Sequence, residues 1–241
     1  SPFVIFADAD LSRALDAAIF MIFSNNGERC TAGSRILVQK SIYADFAARF
    51  AARAQSISVG DPLDEKTIIG PMISQAHLAK VRSYIELGPK EVATLLCGGL
   101  EAPELPAHLR KGNFVKPTVF ADVDNRMRIA QEEIFGPVLA VMRASSFEQA
   151  LQLANGTAYA LTGGLYSRSP RHIELARQAF DVGNLYINRS ITGALVGRQP
   201  FGGHRLSGIG AKAGGEEYLK QFMVARVVSE QTLRRGFAPT L

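Results

Sequence analysis

Short apolar runs alternate with amphipathic segments along most of the chain, and this alternation restricts the fold more than any other feature. Phe3–Phe6, Arg35–Gln39, Thr94–Cys97, Thr118–Phe120, Val138–Met142, Gly164–Tyr166 and Leu185–Ile187 read as strands. Helices are expected from Asp8 or Asp10, as cap, to about Phe23, and over Ala44–Ser56, Gln75–Leu87, Phe147–Ala154 and Arg171–Phe180. Parallel strands need crossover connections, so the series predicts an α/β fold: a mostly parallel sheet covered by helices. Gly60-Asp-Pro62 and Gly70-Pro71 mark a loop, Gly98-Gly99 closes a strand, and a Pro-rich linker follows. Phe222–Ser229 is β-branched and alternates weakly, which reads as a late strand with no helix after it.

Composition narrows the class. Hydrophobic residues make up 47% and charged residues 20% of 241, enough to bury a substantial core as a soluble globular protein. The net charge of +5 is spread along the chain, with only Leu233–Phe237 locally basic, so no nucleic-acid surface is expected. The longest apolar run, Ala14–Phe23, is broken by Asp16 and is too short to span a membrane. Two cysteines, Cys30 and Cys97, fit a reducing, cytoplasmic setting rather than a disulfide framework. The four histidines are far apart in sequence, and no metal site is expected. Ser1-Pro-Phe-Val-Ile-Phe6 opens directly on a strand without a methionine, which reads as a fragment of a longer polypeptide.

Cys30 lies in Phe23-Ser-Asn-Asn-Gly-Glu-Arg-Cys30-Thr-Ala-Gly-Ser-Arg35. Arg29 and Arg35 are cationic neighbours that favour a thiolate, and glycines let a substrate approach the sulfur. An inert packing cysteine is the ordinary alternative, and Cys97, inside a strand, reads that way. A second segment is Gln131-Glu132-Glu133-Ile134-Phe135-Gly136-Pro137-Val138. A third runs from Gly183-Asn-Leu-Tyr-Ile-Asn188 through Thr192-Gly193-Ala194-Leu-Val-Gly-Arg-Gln-Pro-Phe201-Gly-Gly203 to Lys212-Ala-Gly-Gly215.

Together these segments resemble the aldehyde dehydrogenase superfamily over essentially the whole chain. The third, with Ala160–Ser169 and the closing Thr232–Pro239, is similar to the branch that oxidises L-glutamate γ-semialdehyde, the 1-pyrroline-5-carboxylate dehydrogenases of bacterial proline catabolism. The resemblance implies that Cys30 is the nucleophile, that Glu133 binds the nicotinamide ribose and that Phe135 packs beside the nicotinamide of NAD or NADP. It implies that Thr31, Gly193, Ala194 and Phe201 hold the small-molecule substrate, with backbone N–H groups receiving its carboxylate. It further implies a catalytic domain over residues 1–215, and an oligomerisation strand and tail over 216–241 that extend a neighbouring subunit's sheet. Proline dehydrogenase is implied as a fusion or functional partner.

Departures from the family pattern qualify this. The glutamate that the family places just before Ser1 as general base, the oxyanion-hole Asn and the NAD-binding domain are not in these residues, and no Gly-x-Gly-x-x-Gly replaces them. The isolated chain is therefore expected to oxidise aldehydes poorly. Glu28 stands where the family usually has Gln and is a candidate substitute base. Other readings are a dehydrogenase for a different carboxylated semialdehyde, a Cys-dependent esterase, or a relative kept as a structural protein.

Overall fold

The structure is a computed structural model, and it describes residues 1–232. The basic run Leu233–Phe237 and all but the first residue of Thr232–Pro239 lie outside the described residues.

In chain order the elements are β1 (Pro2–Ile5), α1 (Leu11–Phe23), β2 (Arg35–Gln39), α2 (Tyr43–Gln55), α3 (Gln75–Lys90), β3 (Thr94–Cys97), β4 (Thr118–Ala121), α4 (Arg128–Gln131), β5 (Val138–Ala144), α5 (Phe147–Asn155), β6 (Tyr159–Ala160), β7 (Thr162–Tyr166), α6 (Pro170–Ala179), β8 (Asn184–Ile187), β9 (His204–Arg205) and α7 (Glu217–Lys220). A seven-stranded sheet runs β3-β4-β5-β2-β1-β7-β8, and every pairing in it is parallel except β3 with β4. The mostly parallel sheet covered by helices is therefore present. β6 and β9 form a separate antiparallel ribbon.

Burial on both faces explains why the strands read as continuous apolar runs. Successive side chains of β1 point to opposite faces, so Phe3 and Ile5 join one core while Val4 joins the other. The first core is closed by α1 and α2 through residues such as Phe23, Phe46 and Phe50, and the second by α3, α5 and α6 through Val81, Ile85, Phe147 and Ala176. Register is fixed by pairs such as Phe3 with Ile36 and Leu37 with Met142, because a one-residue slip would exchange the two cores.

The helix starts follow side-chain chemistry. Asp10, Ser74, Ser146 and Ser169 each accept a hydrogen bond from the backbone N–H three residues on. Asp8 does something else. It follows β1 and accepts from the Ser167 hydroxyl (2.7 Å) and the Arg168 and Ser169 N–H groups (2.9 and 2.6 Å) at the start of α6. Parallel α/β sheets usually bind ligands at the carboxyl ends of their strands, where the strand order reverses. Here Asp8's own carboxylate occupies that position between β1 and β7.

The strand expected over Phe222–Ser229 joins neither sheet. Val224, Val227 and Val228 are 95%, 89% and 74% exposed, and among the described residues no neighbouring strand supplies the ladder bonds that a strand requires. No helix of the described residues is long and apolar enough to cross a membrane.

Candidate active site

A cavity of about 180 Å³ opens at the amino-terminal ends of the parallel strands, the end opposite Asp8. Its wall includes Ser1 and Pro2 at the start of β1, Arg29, Cys30, Ala32 and Ser34 before β2 with Arg35 at its first position, Glu133 to Gly136 before β5, and Leu161 and Thr162 at β7. Cys30, Glu133 and Phe135 thus share one cavity, although they come from segments about a hundred residues apart in sequence. Thr31, Gly193, Ala194 and Phe201 are not part of its wall.

The loop bearing Cys30 begins where α1 ends. Asn25, Asn26 and Gly27 all have left-handed backbones (φ 52°, 57° and 69°), which turn the chain sharply off the helix. Asn and Gly are the residues that tolerate this conformation, so the Asn-Asn-Gly run was the sequence signal for the turn. Cys30 and Thr31 then fill the centre of a tight turn closed by Ala32 N–H donating to Arg29 C=O (3.0 Å). The Arg29 guanidinium reaches back to the Phe20 and Met21 carbonyls (3.3 and 3.0 Å) and lies over the Phe20 ring. A cation suits the carbonyl end of a helix. Burial pushes the Arg29 guanidinium below its ordinary pKa, and negative charge at Cys30 opposes that shift. The Cys30 carbonyl also accepts from the Ser1 hydroxyl (3.4 Å), which accepts in turn from the buried Thr162 hydroxyl (2.9 Å).

The two adjacent glutamates have different surroundings. Glu132 accepts from Tyr84 (2.7 Å) and from two Arg128 nitrogens (2.7 and 3.0 Å), and these bonds pull its carboxyl down to about 2. Glu133 accepts no side-chain hydrogen bond and joins no ion pair among the described residues, and it faces the cavity. Phe135, two residues on, has a left-handed backbone (φ 61°), uncommon for a bulky residue. Arg35 lies beneath the cavity, 5% exposed, and bonds Asn125 Oδ1 (2.6 Å) and the Leu153 and Ala154 carbonyls (2.7 and 3.3 Å). Burial lowers its guanidinium to about 10.

The expected substrate loop lies on another side of the Cys30 turn. Ile191 N–H meets the Met21 sulfur (3.2 Å), and a Cβ placed on Gly33 would lie 3.6 Å from Ile191 Cδ1. Gly193 follows at φ 88°, Ala194 is exposed, and Phe201 is paired through its backbone with Ala213. Sequence reasoning missed Tyr159, Leu206 and Ser207, which the β6–β9 ribbon brings to the cavity wall. It also missed His77, whose Nε2 lies 2.6 Å from the Phe135 carbonyl oxygen. Glu28 bonds Ile73 N–H (3.2 Å) and Asn26 Nδ2 (3.3 Å), and it is not in the cavity wall, so it is not placed to act as a base there.

Comparison with known proteins gives the family. The chain is 45% identical over 223 residues to 1-pyrroline-5-carboxylate dehydrogenase of Bacillus subtilis, covering 92% of this chain and 42% of that protein. It is 51% identical over 204 residues to 5-carboxymethyl-2-hydroxymuconate semialdehyde dehydrogenase of Escherichia coli, covering 84% and 43%. A solved structure of 1-pyrroline-5-carboxylate dehydrogenase from Thermus with bound NAD superposes with a TM-score of 0.85 at 45% identity, over 92% of this chain and 41% of that one. The chain thus spans less than half the length of the relatives it matches. The model of the aldehyde dehydrogenase family matches residues 1–228, nearly the full length and every loop that borders the cavity, and the chain belongs to that family.

Proposed function

We propose that the protein containing this chain oxidises an aldehyde that carries a carboxylate at its far end, L-glutamate γ-semialdehyde to L-glutamate, with NAD as hydride acceptor. The observation that carries the reading is the shared cavity of Cys30, Glu133 and Phe135. The Cys30 thiolate attacks the aldehyde carbon, forming a C–S bond and moving an electron pair onto oxygen. The backbone N–H at the Cys30 turn is a donor for that alkoxide. NAD, held by Glu133 and Phe135, would supply the two-electron oxidation as hydride acceptor, which turns the carbon held on Cys30 into a thioester. Water then adds to the resulting thioester, the C–S bond breaks, and the carboxylic acid leaves with Cys30 restored.

The residues present fit the nicotinamide end of that cofactor. Glu133 has its acceptor oxygens free for two vicinal hydroxyls, as acidic residues serve ribose in other dinucleotide folds, and Phe135 offers an aromatic side chain in the same cavity. Thr31, Gly193, Ala194 and Phe201 hold the substrate's carboxylated end and stem in this reading. The exposed valines of 224–228 suit a strand completed by a second copy, making the assembly a homo-oligomer.

A second reading keeps the chemistry and changes the skeleton. The 51% identity to the hydroxymuconate semialdehyde enzyme favours a longer carboxylated semialdehyde. NADH formation by the full-length protein, with each semialdehyde and with NAD or NADP, tests both readings. A kcat/KM highest for glutamate semialdehyde and lost in Cys30→Ser supports the first, and a reversed preference supports the second. The 241 residues alone are expected to form NADH far more slowly, and turnover equal to the full-length protein would contradict the division of labour between chain segments assumed here.

A further inference from the structure

We infer that Glu28 and His77 form a positioning pair that locks the Phe135 loop to the Cys30 loop and thereby sets where the cofactor ring lies relative to the thiol. The inference deepens the functional reading above and rests on it for the identity of the cofactor.

His77 is fixed at its backbone, since its N–H bonds the capping Ser74 hydroxyl (3.1 Å) in the first turn of α3. Its ring Nε2 faces two acceptors, the Phe135 carbonyl oxygen at 2.6 Å and Glu28 Oε1 at 3.5 Å. Two acceptors around one nitrogen require that Nε2 carry the proton. The donor lands on the carbonyl of the one residue in the cofactor loop with a left-handed backbone, φ 61°, a conformation that persists only when its surroundings impose it. The His77 and Phe135 rings also meet edge to face, 6.2 Å between centroids.

Glu28 completes the link. It sits two residues before Cys30, and Ile73 N–H and Asn26 Nδ2 hold its carboxylate toward His77. The Glu28 and His77 side chains are 13% and 15% exposed, so water screens their attraction little. Neither residue borders the Cys30 cavity, so both act through the backbone of Phe135 and of the thiol loop rather than on substrate. The Glu in place of the family's usual Gln thus has a structural consequence: a charged acceptor that orients the His77 N–H where an amide would hold it more weakly.

The test uses the full-length protein. His77→Leu is expected to raise the KM for NAD about tenfold or more, while iodoacetamide alkylation of Cys30 stays within about twofold of wild type. His77→Gln, whose amide N–H reaches the same carbonyl, restores most of the loss. Glu28→Gln gives an intermediate defect and adds little on top of His77→Leu, as linked residues do. Amide hydrogen exchange over residues 133–137 accelerates in His77→Leu and returns toward wild type in His77→Gln. An unchanged KM for NAD in His77→Leu, or Cys30 alkylation falling in step with it, overturns the inference. If the wild-type protein forms no NADH, the functional reading fails and the exchange experiment decides alone: faster exchange in His77→Leu supports the link, and unchanged exchange overturns it.

Discussion

Gly27 and Gly136 meet backbone to backbone, and this contact holds the thiol loop against the loop that carries Glu133 and Phe135. A Cβ on Gly27 would press into the Gly136 carbonyl, 2.6 Å from its carbon, and lie 2.8 Å from the Ile22 oxygen. Gly27 also has φ 69°, which any side chain would strain. All the atoms in the way are backbone, so no rotamer change relieves the clash.

Gly27→Ala is accordingly expected to destabilise the fold by about 2–4 kcal/mol, combining left-handed strain with overpacking. Urea unfolding followed by circular dichroism measures this. A midpoint equal to wild type would show that the two loops have room to separate.

The alternating elements were legible because the central strands are buried on both faces and α1, α3, α5 and α6 begin at a capping side chain, two signals local to a few residues. Asp10 rather than Asp8 caps α1, and sequence left that choice open because both precede the helix by a few positions. The antiparallel direction of β3 was not legible, since the four residues Thr94–Cys97 carry no signal of orientation. The β6–β9 ribbon was hidden for a different reason. Its second strand, β9, is held by Asp181, which accepts from His204 (2.7 Å) and pairs with Arg205, contacts that span more than twenty residues. In the site, motif resemblance pointed to Cys30, Glu133 and Phe135, whereas the links between their loops, Gly27 on Gly136 and His77 on Phe135, are long-range and left no periodic trace.

The adjacent glutamates are predicted to separate functionally. Glu133→Gln removes a charged acceptor facing the cavity, and NAD binding is expected to weaken about tenfold to a hundredfold, the usual range for a hydrogen bond to a charged group. Glu132→Gln should leave NAD binding within about threefold, because Arg128 and Tyr84 already occupy its carboxylate. Isothermal titration calorimetry of NAD into the full-length protein and each variant distinguishes them, and equal losses would contradict the assignment.

Glu132 also predicts a pH dependence. Its bonds to Arg128 and Tyr84 lower the folded-state pKa from 4.5 to about 2, so the folded form holds the charged carboxylate more favourably than the unfolded chain does. The stabilisation is therefore complete above about pH 5 and is lost as pH falls through the interval toward 2. Urea midpoints of wild type and Glu132→Gln should differ at pH 6 and converge near pH 2. A constant difference across that range would show that the carboxylate does not titrate there.

Arg35 tests whether the floor of the cavity depends on a planar guanidinium. Its three acceptors, Asn125 Oδ1, Leu153 O and Ala154 O, lie in directions that a single ammonium cannot serve together. Arg35→Lys is expected to cost about 2–4 kcal/mol, since buried acceptors left without donors lose about 1–3 kcal/mol each. Thermal unfolding of the variant, with Arg35→Met for comparison, measures the effect. A Lys variant as stable as wild type would mean that one cation at the end of α5 is sufficient.

The two cysteines should differ sharply in reactivity, and the difference reaches the substrate assignment. Cys97 is 7% exposed on the inner end of β3, and burial pushes its thiol up to about 11. At pH 8 only about one Cys97 in a thousand is thiolate, and the reagent has little access to it. Cys30 is exposed at the centre of its turn, so iodoacetamide should modify Cys30 alone in the folded chain and both cysteines in guanidinium chloride. Mass spectrometry of the labelled peptides reads the ratio, and equal labelling in the folded chain would mean that β3 opens readily. If Thr31, Gly193 and Ala194 receive a carboxylate beside the thiol, L-glutamate should slow Cys30 labelling while succinate, lacking the amino group, should not. Equal protection by both would leave a carboxylate site without amino-acid selectivity and favour the longer semialdehyde as substrate. No protection by either would place the carboxylate site away from the Gly193 loop.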